Sequence, residues 1–324
     1  MKKRLETISI LLSAVLLALL LLLAGWLLLP REFQSGIDWA EYKKEPENSI
    51  DVLYSGSSMT FCDIAPATVY EHSGITGYVI AGPEQTIPVS YYYIAEACRT
   101  QSPRAVFLEL GGMFFTRYEK HTASNIAFMP RGLNRLRATF NAAERENVPG
   151  LILPVLDYHS RWNSVTAGEI LAKLTAGVSE TAGYQLQWEV NAQGDVTYRD
   201  LSTSFYDRSF EYLEKTAVLC REKGIDLYLF LSPTMNRTPE ELREKLEADI
   251  AGLDIAGYID FNTEENFAAL GLDAERDWVD GLHLNVYGAK KVSENIAARL
   301  VELGYSPTGN ADAELWQRRI EALK

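Results

Sequence analysis

The chain reads as a three-layer α/β/α domain on a parallel sheet of about five strands, with an inserted subdomain and an N-terminal transmembrane helix. Three observations predict this. Short apolar runs alternate with helical segments towards both ends of the chain, residues 113–205 interrupt that rhythm, and residues 8–29 carry no charge. A strand buried on both faces has no polar side to alternate with, so such runs belong to sheets covered by helices on both sides.

The uncharged run from Ile8 to Leu29 exceeds the roughly 20 residues that cross a bilayer. Lys2, Lys3 and Arg4 precede it, which keeps the N-terminus in the cytoplasm and exports the rest; Trp26 suits the outer interface. A cleaved signal peptide has an apolar region of only about 7–15 residues and a small-x-small site. Here the run is longer and ends Leu27-Leu28-Leu29-Pro30, which favours a retained anchor, and no Cys follows Leu23-Ala24-Gly25 to accept a lipid. Residues 1–30 are therefore read as cytoplasmic tip and anchor, and 31–48, polar and charged, as a stalk. Residues 49–310 form the α/β domain, and 311–324 a C-terminal helix.

Within the domain, Ile50–Ser55 is a first strand ended by Gly56. Ala65-Pro66 opens a helix, with Pro in the first turn where its missing N–H costs nothing, and Gly74 closes it. Thr76–Ala81 is a second strand stopped by Gly82-Pro83; Pro88 opens a helix through Tyr91, Ile94 and Ala95; Arg104–Leu110 is a third strand ended by Gly111-Gly112. Ile225–Leu231 and Tyr258–Phe261 are the fourth and fifth strands, with helices over 238–251 and 286–303. In the insertion, Tyr184–Tyr198 alternates and turns at Ala192-Gln193-Gly194-Asp195, which predicts a hairpin. Long insertions in compact domains tend to be functional, so this one is read as a lid or substrate wall.

A net charge of −13, with the cations at 2–4 across the membrane, argues against nucleic acid or anionic lipid surfaces as partners. Cys62, Cys98 and Cys220 are an odd set and read as buried thiols, not as a disulfide framework. No zinc-ligand spacing and no phosphate-cradling glycine motif occurs, so neither a metal nor a cofactor is expected; His72 and His121 read as surface residues.

Ser58 directly follows the first strand, at the sheet edge where α/β ligands bind. Asp280 and His283 lie three positions apart before the last long helix. Either feature alone also fits a plain turn or a helix cap. Together they are what acyl transfer needs: a serine nucleophile, an imidazole to take its proton, and a carboxylate to fix the imidazole's tautomer. Asp157-Tyr158-His159-Ser160-Arg161-Trp162 is the densest polar-aromatic cluster of the insertion. His159, Arg161 and Trp162 could bind a carbohydrate or phosphate-bearing polymer; equally, the loop could be packed, with Trp162 as its apolar plug. Glu109, ending the third strand, borders the site or serves the fold.

On Gly56-Ser57-Ser58 and Asp280-x-x-His283, the chain resembles the SGNH (GDSL-type) hydrolase superfamily over roughly 50–112 and 225–303. The resemblance implies a flavodoxin-like sheet, Ser58 as nucleophile, His283 as general base and Asp280 as its orienter. The anchor, the Gly-Ser-Ser variant and the insertion resemble extracytoplasmic members such as D-alanyl-lipoteichoic acid transfer and alginate O-acetylation proteins. That branch implies acyl chemistry on an envelope polymer, an acyl donor, and a multi-pass membrane O-acyltransferase as partner. The chain departs from the family at Ser57, where Asp is usual, and at Gly111-Gly112, where an Asn donor to the oxyanion is usual. Gly82 is the position for the family's backbone oxyanion donor, and Gln85 either replaces the missing Asn or caps the helix at Pro88.

Overall fold

A computed structural model describes residues 2–31, 35–115, 121–201 and 203–324. Five strands form one parallel sheet: β1 (Val52–Gly56), β2 (Gly77–Ala81), β3 (Ala105–Glu109), β4 (Asp226–Leu231) and β5 (Gly257–Asp260). Their order is β2-β1-β3-β4-β5, the flavodoxin-like winding in which the chain reverses direction across the sheet between β1 and β3. The carboxyl ends of β1 and β3 therefore flank the crevice where such sheets hold ligands.

Strands β1, β2 and β3 are buried on both faces, as their continuous apolar runs require, β4 is buried after Asp226, and the edge strand β5 is half-buried. Leu53, Val106, Leu108, Leu227 and Leu229 join one core, with Ile94 of the helix Ile87–Ala97 and Leu213 of the helix Tyr206–Lys223. Val52, Tyr54, Phe107 and Phe230 join the other, with Val69 of the helix Pro66–Ser73 and Val292 of the helix Val286–Glu302. On that second face Phe107 stacks on Tyr228 at 4.8 Å and lies 5.8 Å from Tyr54, a cross-strand aromatic row that fixes register.

Lys2–Leu28 is a single helix, long and apolar enough to cross a membrane. Its last turn does not project free. Lys173, on the helix Ala167–Leu174, donates to the carbonyls of Trp26, Leu27 and Leu29 at 2.6–3.0 Å, and Arg161 donates to Leu28 O at 2.5 Å. Those carbonyls have no intrahelical donor, so two cations cap the helix end.

The expected stalk over 31–48 is folded against the domain where it is described; residues 32–34 lie outside the described residues. Asp38 caps a short helix, Trp39–Tyr42, and both aromatic rings are buried against Tyr93 and Tyr78. Glu45 pairs with the fully buried Arg319 of the C-terminal helix Ala313–Glu321. Charges dominate this stretch by count, yet two aromatics and one buried ion pair decide where it goes.

The hairpin expected over Tyr184–Tyr198 does not form. The segment lies extended along distant parts of the chain: Gln185 N–H donates to Phe61 O, Asn191 N–H to Trp278 O, and Gln187 O accepts from Val286 N–H. Only Thr197–Tyr198 is strand, paired in parallel with Asn236–Arg237. Alternation marks an extended strip, but it does not say whether the partner strip is local or remote. The insertion's residues 116–120 and 202 lie outside the described residues.

Candidate active site

Gly56 sets the position of the serine. Its φ of 156° is one that side-chain-bearing residues avoid, and a Cβ there would sit 2.2 Å from Thr60 Oγ1 and 2.5 Å from Glu109 Cβ. The chain thus leaves β1 sharply and begins the helix Ser58–Asp63 at once, with Ser57 as its N-cap residue. Ser57 makes no side-chain cap; its hydroxyl instead donates to Glu109 Oε2 at 3.1 Å. Ser58 is left at the crevice mouth, half-buried.

The loop carrying Asp280 and His283 is held from several sides. Trp278 and Leu284 form an antiparallel bridge across its neck. Asp280 Oδ1 accepts the N–H groups of Leu282 (2.7 Å) and His283 (3.0 Å), which closes the turn. Asn285 then caps the helix Val286–Glu302 through the N–H groups of Tyr287 and Gly288. The wholly buried carboxyl of Asp63 accepts Leu284 N–H at 3.3 Å; burial raises its pKa well above the ordinary range.

These supports bring three side chains into line. His283 Nε2 lies 2.8 Å from Ser58 Oγ, and His283 Nδ1 lies 2.9 Å from Asp280 Oδ2. Burial pushes the Asp280 carboxyl up, but the imidazole and two backbone N–H groups outweigh it and hold the pKa below the usual value. With Nδ1–H donated to the carboxylate, Nε2 is the lone-pair nitrogen facing the serine. That arrangement can take a proton from the hydroxyl and stabilise the imidazolium that results.

Behind the serine turn, Glu109 is buried, with Oε1 accepting Gly111 N–H at 2.5 Å and Oε2 accepting from Ser57. Burial raises its pKa to about 7, against the opposing pull of those two hydrogen bonds and of Arg199. A cleft of about 290 Å³ opens over the triad, lined by Ser57, Met59, Phe114, Arg199, Leu201 and Leu282 among others. One wall therefore comes from the insertion, through residues 199–201.

The remaining expected site residues are elsewhere. Gly82 N–H points to Gly56 O at 3.4 Å, and Gln85 donates from Nε2 to Ser90 in the first turn of its helix, at 2.9 Å. Neither lines the cleft. His159, Arg161 and Trp162 also lie apart from it: Arg161 is engaged by Leu28 O and Glu169, His159 by Leu156 O, and Trp162 is exposed. Arg199 and Asp63 escaped sequence reasoning. The one visible signal was an acid, Asp63, the lone charge in a short helix.

No protein-family model matches the chain, and no curated protein matches its sequence. Among solved structures, it is similar to a candidate acylhydrolase from Bacteroides fragilis NCTC 9343, with 13% identity and a TM-score of 0.40, covering 82% of this chain and 98% of that one.

Proposed function

We propose that the chain is a membrane-tethered, extracytoplasmic serine esterase or O-acyltransferase of the SGNH type, acting on a cell-envelope polysaccharide or teichoic-acid-like polymer. The observation that carries this reading is the unbroken line from Ser58 Oγ through both nitrogens of His283 to Asp280, at 2.8 and 2.9 Å. Ser58 Oγ attacks the ester carbonyl carbon while its proton passes to His283 Nε2. The tetrahedral adduct collapses, the bond to the leaving alcohol breaks, and that alcohol takes the proton from Nε2. The acyl group is then on Ser58. Water, or a sugar hydroxyl, gives its proton to Nε2 and attacks the acyl carbon; the bond from that carbon to Ser58 Oγ then breaks, and Nε2 returns the proton to Oγ. Asp280 holds the imidazole throughout. The uncharged Ile8–Leu29 run, with cations before it, supports the tether and the outward orientation.

A fluorophosphonate probe tests the reading on the full chain in detergent. The wild type is expected to label at one serine, and Ser58→Ala and His283→Ala to lose labelling, with ester turnover down by about 10⁴-fold or more. A folded wild type that neither labels nor turns over esters refutes it.

A second reading has two observations in its favour. The Gly82 N–H is directed at Gly56 O, and Gly111-Gly112 replaces the family's Asn. Loss of one oxyanion donor costs about 10²–10³ in rate. On this reading the chain is a slow or inactive member that binds polymer or docks on a multi-pass membrane O-acyltransferase.

A further inference from the structure

Residues of the segment 131–173 pack on the end of the N-terminal helix, and none of them lines the serine cleft. Arg131 donates to Leu22 O at 3.4 Å, Pro154 lies against Gly25, and Leu22 shares a cavity with Leu136, Ile152 and Pro154. Lys173 and Arg161 close over residues 26–29. The segment therefore embraces the helix from Leu29 back to Leu22.

Length decides what this means. The uncharged helix from Ile8 to Leu28 is about 31 Å long at 1.5 Å per residue, and the hydrocarbon core of a bilayer is about 30 Å thick. No residues are spare. Leu22 lies about 9 Å below Leu28 along the axis, so whatever touches Leu22 is below the headgroups once the helix spans. Leu136 and Ile152 sit beside Leu22, and the segment that grips the helix leaves apolar side chains exposed: Leu136, Ile152, Leu156, Trp162, Leu171 and Leu174 are 42–76% exposed. Leu171 and Leu174 flank Lys173 on one short helix, so the cation faces the carbonyls of residues 26–29 while its neighbours face outward. A concentration of exposed apolar side chains marks a site of interaction, and this one adjoins the N-terminal helix.

We infer that residues 133–174 form a collar seated in the outer leaflet, with Leu136, Ile152, Leu156, Trp162, Leu171 and Leu174 in lipid. The inference rests on the N-terminal helix spanning the membrane as proposed above. Arg161 and Lys173 bind the helix backbone from within the collar, and Arg131, just before it, reaches Leu22 O. The occupant is the bilayer itself, because the surface is continuous with a segment already committed to lipid.

Nitroxide labels read this directly. In a Cys98→Ala background, the full chain is reconstituted in phosphatidylcholine–phosphatidylglycerol vesicles with a single label at Leu156→Cys, Leu171→Cys or Leu174→Cys. Leu16→Cys in the N-terminal helix and Leu303→Cys, an exposed leucine outside the segment, are the references. Collision rates with oxygen, which partitions into lipid, are compared with those of a water-soluble nickel chelate. The expected oxygen-to-nickel ratio at 156, 171 and 174 is close to that at 16 and several-fold above that at 303. Lipid-like behaviour at 16 with water-like behaviour at all three collar positions overturns the collar and leaves the anchor standing. Water-like behaviour at 16 overturns both. Immobilised collar labels shielded from both reagents mean that a second copy covers the face, which also overturns the lipid assignment. Three collar positions keep the test decisive if one variant fails to fold.

Discussion

Glu109→Gln is a sharp probe of the serine turn, because its effect reverses the usual expectation for removing a buried charge partner. Glu109 is 1% exposed, and its pKa rises from 4.5 to about 7 on folding. The folded state therefore holds more protons than the unfolded state between those values, and stability falls as pH rises through that window. At 1.36 kcal/mol per pKa unit, the ionised carboxylate costs the fold roughly 3 kcal/mol above pH 7. Glutamine is nearly isosteric, keeps a carbonyl for Gly111 N–H, and offers an amide donor to Ser57 Oγ. The variant should match the wild type near pH 4.5 and exceed it by up to about 3 kcal/mol at pH 8.5. Urea unfolding of the full chain in detergent, followed by tryptophan fluorescence across that range, measures the difference. Parallel pH profiles for the two proteins, or a variant less stable at pH 8.5, would refute the reasoning.

Three further substitutions test the supports described above. Gly56→Ala places a methyl into Thr60 and Glu109 and should destabilise by at least about 3 kcal/mol, read as a lowered thermal midpoint. Asn285→Ala removes the cap of the last long helix and the side-chain donor to Arg276 O (2.7 Å); a loss of about 2–4 kcal/mol is expected, with slower fluorophosphonate labelling as the His283 loop loosens. Arg319→Met strands the buried Glu45 carboxylate and should cost about 3–5 kcal/mol in denaturant unfolding, with much of that recovered in the Arg319→Met/Glu45→Leu double variant.

The parallel sheet was legible because β1, β2 and β3 are buried on both faces and each ends at or just before a glycine that has a steric reason to be there. Gly56 and Gly74 are left-handed or near it, and Gly82 abuts Asn125 Oδ1. The Ser58–His283–Asp280 geometry was legible for a related reason: strand ends in such a sheet share one edge, so residues far apart in sequence converge there. What escaped depended on partners that local pattern does not encode. The alternation of 184–198 gave an extended strip but not its neighbours, and the charge-rich 31–48 hid two anchoring aromatics. The Arg161–Trp162 cluster looked suited to a polymer because Arg and Trp suit many ligands; its partner is the backbone of the chain's own first helix. Glu109 was visible as an acid ending a strand, yet its burial behind Ser57 follows from the turn at Gly56, which only three-dimensional packing reveals.

The lysine clamp on residues 26–29 also fixes where the serine cleft sits. A flexible leash of 18 residues would let a domain roam about 20–25 Å on average. Here the domain is bolted to its post with no slack, so the cleft keeps one height and one heading relative to the first helix. Whatever enters the cleft must come to that station, and the chain cannot swing out to meet it.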